Sequence, residues 1–301
     1  MVNLLNNVYV VNLERSKDRL ENIDKNLKKY GISYKRFNAV DGKKMSDDEI
    51  SQMTTSACRY LLCNKSIIGC AMSHISLWNI ISQSSDKWHL VLEDDIEFTN
   101  KTIDFINALS RSSIMNEDNI IISLACIGPF CGGPKVNIPK TSSSEYNPES
   151  YLVELSLVES RFPLGTAAYF ITKNTAKKLY DHFIKYKINY HIDNQIASNL
   201  STLGIKYLAT TDEVITVDQS NSTIGSKSMY ILSTILNKFG MSNIAWLLSV
   251  PILTINMTVA IDGYIFIFIL LLAINLIFLN SILLYIYLLI ELVIWIILKF
   301  I

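Results

Sequence analysis

The chain has 301 residues, half of them apolar, and its 27 Lys and Arg balance its 27 Asp and Glu, so the formal net charge is zero. This balance gives no overall attraction for a polyanion and argues against a nucleic-acid-binding protein. The length suits one large domain or two smaller ones. Because the apolar excess is concentrated after Ile244, we predict a globular domain over residues 1–240 and a separate hydrophobic tail over residues 241–301.

The first half of the globular part alternates short strands with helices. Its predicted strands cover residues 7–13, 34–40 and a third run that starts at Trp88, and its predicted helices cover residues 16–30, a short stretch after Ser46 and residues 66–83. Ser16 and Gly31 are of the residue types that begin and end helices. The sequence Ser46-Asp-Asp-Glu49 matches the capping box at a helix start.

The second half continues the alternation. Strands are predicted at residues 120–125, 151–157, 165–172 and 205–209, and helices at residues 174–186 and 193–203, the last ending at Gly204. The Gly-, Pro- and Ser-rich stretch 128–150 is typical of a surface loop. Strands that alternate with helices predict a layered α/β domain.

The tail contains two apolar runs, Tyr264–Leu279 and Ile282–Leu298, separated by Asn280 and Ser281. Each is close to the shortest helix that spans a bilayer, roughly 17 residues. We therefore predict a membrane-associating tail of one or two helices, which is either a single span, a hairpin or an interfacial anchor. A buried helical bundle is the alternative.

Five cysteines occur in the sequence without the spacing of a zinc knuckle, namely Cys58, Cys63, Cys70, Cys126 and Cys131. We expect them to be reduced and mainly to fill packing space. The N-terminus, MVNLLNNVYVVNLERS, lacks a basic segment followed by a long apolar core, so no secretory signal is predicted. The catalytic part is accordingly expected in the cytosol.

Acidic residues close the third predicted strand in the segment WHLVLEDDIEF, residues 88–98. Ligands of open α/β sheets bind beyond the carboxyl ends of the strands. Strand alternation would send Glu93 and Asp95 to one side and Asp94 to the other. Such carboxylates suit Mg²⁺ or Mn²⁺ carrying a substrate diphosphate. The alternatives are a solvated strand end and a glycosidase-like pair of carboxylates, as in a hydrolase.

Several motifs occur together in a fixed order. NLERSKDR (12–19), GCAMSHISLW (69–78) and LVLEDD (90–95) are followed by GTAAYFIT (165–172), HIDNQ (191–195) and a late STI. In this order the chain resembles glycosyltransferase family 25, the lipooligosaccharide galactosyltransferases to which the collagen galactosyltransferases are related. The resemblance covers roughly residues 7–226 and leaves out the tail.

The resemblance implies a GT-A-like nucleotide-sugar-binding fold and metal-dependent transfer of a hexose with inversion, often galactose from UDP-galactose, to a glycan. By that comparison Glu93, Asp95 and Asp193 are the expected ligands of Mn²⁺ or Mg²⁺. The first acid of the motif is Glu rather than Asp, so Asp95 is the firmer ligand. Asp193 is also the expected catalytic base, with Asp94 and Glu97 as rivals.

A further set of motif residues is expected to bind the donor: Asn12, Arg15, Arg19, Ser73, His74, Gly165 and Thr166. Each has a plainer interpretation. The two arginines would equally suit a solvated helix face with acidic partners. His74 lies among apolar neighbours, where a core role is common. The Gly165-Thr166 pair would also suit a strand start.

Together these features predict a membrane-associated glycosyltransferase that uses a UDP-hexose and a lipid-linked saccharide, such as a lipooligosaccharide, at the cytoplasmic face of a bacterial inner membrane. Three alternatives remain: the same fold with another nucleotide sugar, a catalytically inactive membrane-anchored scaffold, and a hydrolase that uses the carboxylates directly.

Overall fold

The computed structural model describes residues 4–125, 136, 157–160, 165–210, 214–217, 248, 251–255, 259–278 and 285–289. The chain divides into two units, Met1–Ile224 and Gly225–Ile301, which are described separately. The predicted loop 128–150 lies outside the described residues except for position 136, as does most of the strand predicted at 151–157.

The first unit is an α/β structure. Its strands are β1 (Val8–Asn12), β2 (Lys35–Asn38), β3 (Trp88–Glu93), β4 (Ile96–Phe98), β5 (Ile120–Ser123), β6 (Leu157–Glu159), β7 (Ala168–Thr172), β8 (Lys206–Thr210) and β9 (Ile215–Val217). Its helices are α1 (Lys17–Lys29), α2 (Asp47–Met53), α3 (Lys65–Ser82), α4 (Asn100–Ser110), α5 (Lys173–Tyr186) and α6 (Ile192–Leu203). Short helical turns cover Gly42–Lys44, Cys58–Leu62 and Ser113–Asn116.

Seven strands form one mixed sheet in the order β2-β1-β3-β7-β5-β8-β6. Strand β1 is parallel to β2 and β3, whereas β7 is antiparallel to both β3 and β5. The carboxyl ends of β1, β2 and β3 therefore lie at the same edge as the amino end of β7. Strands β4 and β9 pair separately as an antiparallel ribbon. The predicted α/β class is confirmed.

Alternating side chains of the central strands belong to two different cores. In β3, Leu90 and Leu92 pack in one core, which includes apolar residues of α1 and α4, whereas Val91 packs in the other, which includes residues of α3, α5 and α6. Helices therefore cover both faces of the sheet, and its central strands are buried along almost their whole length. Each fully buried large apolar side chain contributes about 1.5–3 kcal/mol relative to an exposed one.

Local signals place several helix ends where the sequence predicts them. Ser46 and Glu49 form the reciprocal hydrogen bonds of a capping box at the start of α2. Gly31 and Gly204 follow α1 and α6 with φ of 68° and 58°, a conformation that glycine adopts without strain. The short ribbon of β4 and β9 and helix α4 were not predicted.

The cysteine prediction is wrong in part, because Cys58 and Cys63 form a disulfide. The helical turn Cys58–Leu62 explains it: the Cys63 amide donates to the Cys58 carbonyl at 2.9 Å, which brings the two Cα atoms to 4.8 Å. Cys70 is a free thiol. Cys126 and Cys131 lie outside the described residues.

The described part of the second unit contains a hairpin that the sequence did not predict. Strands β10 (Pro251–Ile255) and β11 (Val259–Asp262) pair antiparallel and lead into helix α7 (Gly263–Phe278), and residues 285–289 are also helical. Of the helices in the described part of the chain, none combines the length and apolar character needed to cross a bilayer. The transmembrane helix predicted for the tail is therefore not supported.

Candidate functional site

A cleft lies at the edge of the sheet where β1, β2 and β3 end. Most of the predicted site residues line it: Arg15, Arg19, Ser73, His74, Glu93, Asp94 and Asp95. Gly165, Thr166 and Asp193 line a smaller pocket, and the Thr166 hydroxyl donates to Glu93 Oε1 at 2.7 Å, which links the two. The structure thus brings together residues from five separate motifs of the sequence.

The two aspartates of the acidic motif share one arginine. Arg19 Nη2 lies 2.8 Å from Asp94 Oδ1 and 2.6 Å from Asp95 Oδ2. The prediction that alternation separates Asp94 from Asp95 is therefore wrong. Strand β3 ends at Glu93, and both aspartates lie in the turn that follows, where the two-residue period no longer holds.

Asp95 has an environment unlike that of an ordinary surface carboxylate. Burial, with the neighbouring charges of Glu93 and Asp94, raises its pKa to about 7, although Arg19 acts in the opposite direction. Its Oδ1 atom is buried and has no hydrogen-bond partner among the described residues. Asp95 is therefore poised to ionise near neutrality and keeps one acceptor atom free.

Asn12 supports Asp94 from the end of β1. Its Nδ2 donates to Asp94 Oδ2 at 2.6 Å, and its Oδ1 accepts from Arg36 Nε at 3.0 Å. Burial raises the pKa of Asp94, against the lowering effects of Arg19 and Asn12. The side chain of Asn12 is buried, so it positions Asp94 rather than facing the cleft.

The Glu93 carboxylate contacts His74 and Thr166. His74 Nε2 lies 3.4 Å from Glu93 Oε1. Burial acts to raise the pKa of Glu93, but the interactions with His74, Thr166 and Arg19 outweigh it and hold that pKa below its ordinary value. The pKa of Glu93 is thus lowered while that of Asp95 is raised, so Glu93 ionises at lower pH than Asp95.

A buried hydrogen-bond chain fixes the orientation of His74. Trp78 Nε1 donates to Tyr169 Oη at 3.0 Å, and Tyr169 Oη lies 2.9 Å from His74 Nδ1. Because the indole only donates, the phenol oxygen accepts from Trp78, and it can either donate to His74 Nδ1 or accept from it. With the phenol as donor, the His74 proton lies on Nε2, where it faces Glu93. Burial raises the pKa of Tyr169 well above its usual range, which keeps the phenol protonated.

Ser73 is buried, and its hydroxyl is already engaged within the fold. It donates to the Gly69 carbonyl at 2.7 Å and accepts from the Val40 amide at 2.8 Å. A Cβ atom at Gly69 would come within 2.7 Å of the Val40 carbonyl oxygen, so α3 and the chain after β2 approach closely here. These contacts make Ser73 a residue that shapes the cleft wall.

Arg15 forms an ion pair with Asp41 at the mouth of the cleft. The hydrogen bond from Arg15 lowers the pKa of Asp41 below its ordinary value. The Arg15 side chain is 42% exposed, compared with 20% for Arg19. Arg15 is thus the more accessible cation, and Asp41 is a cleft residue that the sequence did not single out.

Asp193 lies in the first turn of α6 and holds the segment before β7. Its Oδ2 accepts from the Gly165 amide at 2.9 Å and its Oδ1 from the Asn194 amide at 2.8 Å. Gly165 has φ of 90°, which favours glycine at this position. Glu97, by contrast, is exposed on β4 and is not among the residues that line either pocket.

Sequence reasoning also missed Cys70, in the wall of the cleft, and Tyr169, in the wall of the smaller pocket. Cys70 is one helical turn before His74 and lines the cleft. Burial raises the pKa of its thiol well above the usual range, and the charges of Glu93 and Asp193 add to the effect. Both residues stand within the quoted motifs. The one-turn spacing of Cys70 from His74 along α3 is the signal that would have found the thiol, whereas no local pattern indicates the contact of Tyr169 with His74.

The sequence model described as "Glycosyltransferase family 25 (LPS biosynthesis protein)" matches residues 5–196. A "Glycosyltransferase 25 family member" of Anopheles gambiae is 33% identical over 104 residues, 31% of this chain and 17% of that protein. The human "Procollagen galactosyltransferase 2" is 28% identical over 181 residues, 57% of this chain and 27% of that protein. The chain thus spans well under half the length of these relatives.

One solved structure with a weak likeness to this chain is described as "Crystal structure of a glycosyltransferase involved in the glycosylation of the major capsid of PBCV-1". The comparison covers 72% of this chain and 94% of that chain, at 11% identity and a TM-score of 0.33. At that score the likeness carries no argument about fold or function.

Proposed function

The chain belongs to glycosyltransferase family 25, and from this premise we propose that it transfers a hexose from a nucleotide sugar to a hydroxyl group of a glycan acceptor. The observation that supports it most is the cluster of Glu93, Asp94, Asp95 and Arg19 at the carboxyl edge of the sheet, where α/β folds bind nucleotides. We propose UDP-galactose as the donor and inversion as the stereochemical course, in keeping with the relatives that are named procollagen galactosyltransferases.

The residues of the acidic cluster fit a hard divalent cation, Mn²⁺ or Mg²⁺. The buried Oδ1 of Asp95 lacks a hydrogen-bond partner among the described residues, and carboxylate oxygens are the ligands that such ions prefer. Asp95 and Glu93 would hold the ion, with Asp193 as the third expected ligand. Both oxygens of Asp193 already accept backbone hydrogen bonds, so it is the least available of the three. Bound there, the ion would offset the charge that develops on the departing diphosphate.

The two arginines have different roles in binding the diphosphate. Arg19 neutralises Asp94 and Asp95 while no donor is bound, which limits repulsion between the buried acids and an incoming anion. Arg15 is more exposed at the cleft mouth, where its planar guanidinium suits paired hydrogen bonds to phosphate oxygens. Both arginines follow β1 in the chain, Arg15 in the connecting segment and Arg19 in α1. The position of β1 therefore constrains how far each lies from the acids.

Inversion requires a base within hydrogen-bond reach of the attacking hydroxyl. We propose Asp193 for this role because it lines the pocket beside Gly165 and Thr166, and each of its oxygens keeps a second lone pair for the acceptor. Asp94 is a weaker rival because one of its oxygens is paired with the charged guanidinium of Arg19 and the other accepts from Asn12, whereas the partners of Asp193 are neutral backbone amides. The exposed position of Glu97 on β4 argues against it.

We also propose that the acceptor is a lipid-linked saccharide such as a lipooligosaccharide, and that the enzyme works at the cytoplasmic face of a membrane. The support is a group of exposed apolar side chains in the second unit: Phe266, Ile269, Leu270, Tyr285, Ile286, Leu288 and Leu289. Such side chains suit contact with a membrane surface.

A donor screen tests the proposed transfer. The purified chain is supplied with nucleotide sugars, each with Mn²⁺ and with a chelator, and released nucleotide is measured. We expect UDP-galactose to be turned over only when the divalent ion is present. Turnover of glycosides that ignores both nucleotide and chelator would indicate a hydrolase instead. No turnover of any donor, with the chain folded, would indicate an inactive scaffold.

A further inference from the structure

Three side chains of metal-ligating type meet in the wall of the cleft. Cys70 and His74 are one turn apart on α3, and Glu93 ends β3. The thiol sulfur, an imidazole nitrogen and a carboxylate oxygen of these residues all lie within 4.8 Å of one another. Cys70 is a free thiol and lines the cleft, so the group is accessible from it.

The spacing is close to that of a four-coordinate zinc site. Bond lengths of about 2.0–2.3 Å in a tetrahedron place ligand atoms roughly 3.3–3.6 Å apart. His74 Nε2 and Glu93 Oε1 are already 3.4 Å apart. Because residues i and i+4 share one face of a helix, Cys70 lies on the same side of α3 as His74, and its sulfur is within 4.8 Å of the other two ligand atoms.

The surroundings supply the outer contacts that such a site requires. A metal-binding imidazole donates its other ring N–H to an acceptor, and a metal-binding carboxylate is itself hydrogen-bonded. Tyr169 Oη lies 2.9 Å from His74 Nδ1, and Trp78 holds that phenol from the other side. Thr166 Oγ1 donates to Glu93 at 2.7 Å. Both ligands are therefore oriented in advance.

We propose that Cys70, His74 and Glu93 form a binding site for a thiophilic divalent cation, with Zn²⁺ as the expected ion and the fourth position open to the cleft. Thiolate and imidazole select zinc, whereas the oxygens of Asp94 and Asp95 suit Mg²⁺ or Mn²⁺. As the ion binds, the thiol gives its proton to solvent, and the His74 proton moves to Nδ1, where Tyr169 accepts its hydrogen bond.

Glu93 belongs to both ligand sets, and this sharing makes Zn²⁺ an inhibitor. A Glu93 side chain bound to zinc is no longer available to the hard ion beside Asp95. The inhibition rests on the proposed transferase function, whereas the binding of Zn²⁺ to these three residues does not.

Co²⁺ is a suitable probe, because a cobalt–thiolate bond gives a charge-transfer absorption that oxygen and nitrogen ligands do not. The titration uses the full chain without reductant and with Cys126→Ser and Cys131→Ser, so that Cys70 is the remaining thiol outside the disulfide. We expect one Co²⁺ per chain with the thiolate band, displaced by Zn²⁺. Cys70→Ser should remove the band and weaken binding by at least about tenfold, and Asp95→Asn should leave it intact.

Absence of the band at saturating Co²⁺, or its survival in Cys70→Ser, would overturn the proposal. His74→Gln is a second test of the ligand set, and circular dichroism checks the fold of each variant. If His74→Gln does not fold, the Cys70→Ser comparison decides alone, since that side chain is only partly buried. A chain that binds Co²⁺ through Cys70 but turns over no donor would contradict the proposed function and not this site.

Discussion

Arg19 holds Asp95 in an ion pair, with Nη2 2.6 Å from Oδ2, while the second oxygen of Asp95 is buried without a hydrogen-bond partner among the described residues. One oxygen of this carboxylate is thus paired with Arg19, and the other is free for a ligand. The pair joins helix α1 to the turn after β3, and so joins two of the sequence motifs that mark the family.

Asp95→Asn should abolish turnover without unfolding the protein. The asparagine amide keeps the shape of the side chain and removes a buried carboxyl group whose pKa is raised to about 7. The free energy of unfolding in the absence of metal should therefore be unchanged or higher. Loss of an electrostatic contact in the reacting state lowers kcat by about 10²–10³. Released nucleotide and a thermal melt are the two measurements. Glu97→Gln is the control, because Glu97 is exposed outside both pockets, and equal losses in both variants would contradict the assignment.

Metal should stabilise the protein more at high pH than at low pH. The folded-state pKa of Asp95 is raised from 3.8 to about 7, so its contribution to stability is present at low pH and is lost as the pH rises through about 7. The ionised form that appears is the one that binds a cation. We expect the rise in Tm on adding Mn²⁺ to be larger at about pH 8 than at about pH 6. The Asp95→Asn variant should lose most of this difference, and a rise in Tm that is equal at both pH values would count against the role.

Tyr169→Phe should weaken both the fold and the reaction. The change leaves Trp78 Nε1 and His74 Nδ1 without their shared partner in a buried site, and each such group costs about 1–3 kcal/mol. His74 then keeps only its contact with Glu93, at 3.4 Å, so its ring is held less firmly and kcat should also fall. The matched control is Tyr190→Phe, which removes one hydrogen bond to Ser198. Chemical denaturation gives the stability change, and released nucleotide gives kcat. Equal stability losses in the two variants, or an unchanged kcat in Tyr169→Phe, would contradict the assignment.

The disulfide is directly measurable. Unfolded in denaturant without reductant, the chain should titrate with at least two fewer thiols than its five cysteines provide. A peptide map should join Cys58 to Cys63. Five free thiols in protein that was purified without reductant would show that the pair is open.

Membrane association of the second unit is tested by flotation with anionic and neutral vesicles. We expect the full chain to float, and Phe266→Glu with Leu270→Glu on α7 to reduce flotation, because both side chains are about half exposed and charge is costly in an apolar phase. A matched pair on the polar surface of the first unit, Glu21→Gln with Lys25→Gln, should float like the wild type. Equal flotation of all three proteins would contradict the proposal.

Most of the first unit could be predicted from local signals. The Ser46 capping box, the glycines at positions 31 and 204 and the apolar strands all lie where their side-chain chemistry indicates. The three-residue strands β4 and β9 escaped prediction because so short a run shows no period. The hairpin of β10 and β11 was not predicted for the same reason, because its strands are only five and four residues long.

The candidate site was predicted as a set of residues but not as a network. The motifs identify Glu93, Asp95, Arg19 and His74, yet the Tyr169–His74 contact spans 95 residues, and no local pattern encodes such a pairing. The alternation rule failed at Asp94 because the strand ends one residue earlier. Local patterns describe regular elements well, whereas the turns that follow them, where the acids lie, depend on tertiary contacts.

Calorimetric binding of UDP to the wild type and to Asp95→Asn, each with and without Mn²⁺, measures whether the acids and a divalent ion act together on the diphosphate. If the acids at the end of β3 and a divalent ion hold the diphosphate together, Mn²⁺ will tighten UDP binding to the wild type by at least about tenfold and will leave Asp95→Asn unaffected. Equal binding with and without the ion in the wild type, or equal enhancement in both proteins, would contradict the account.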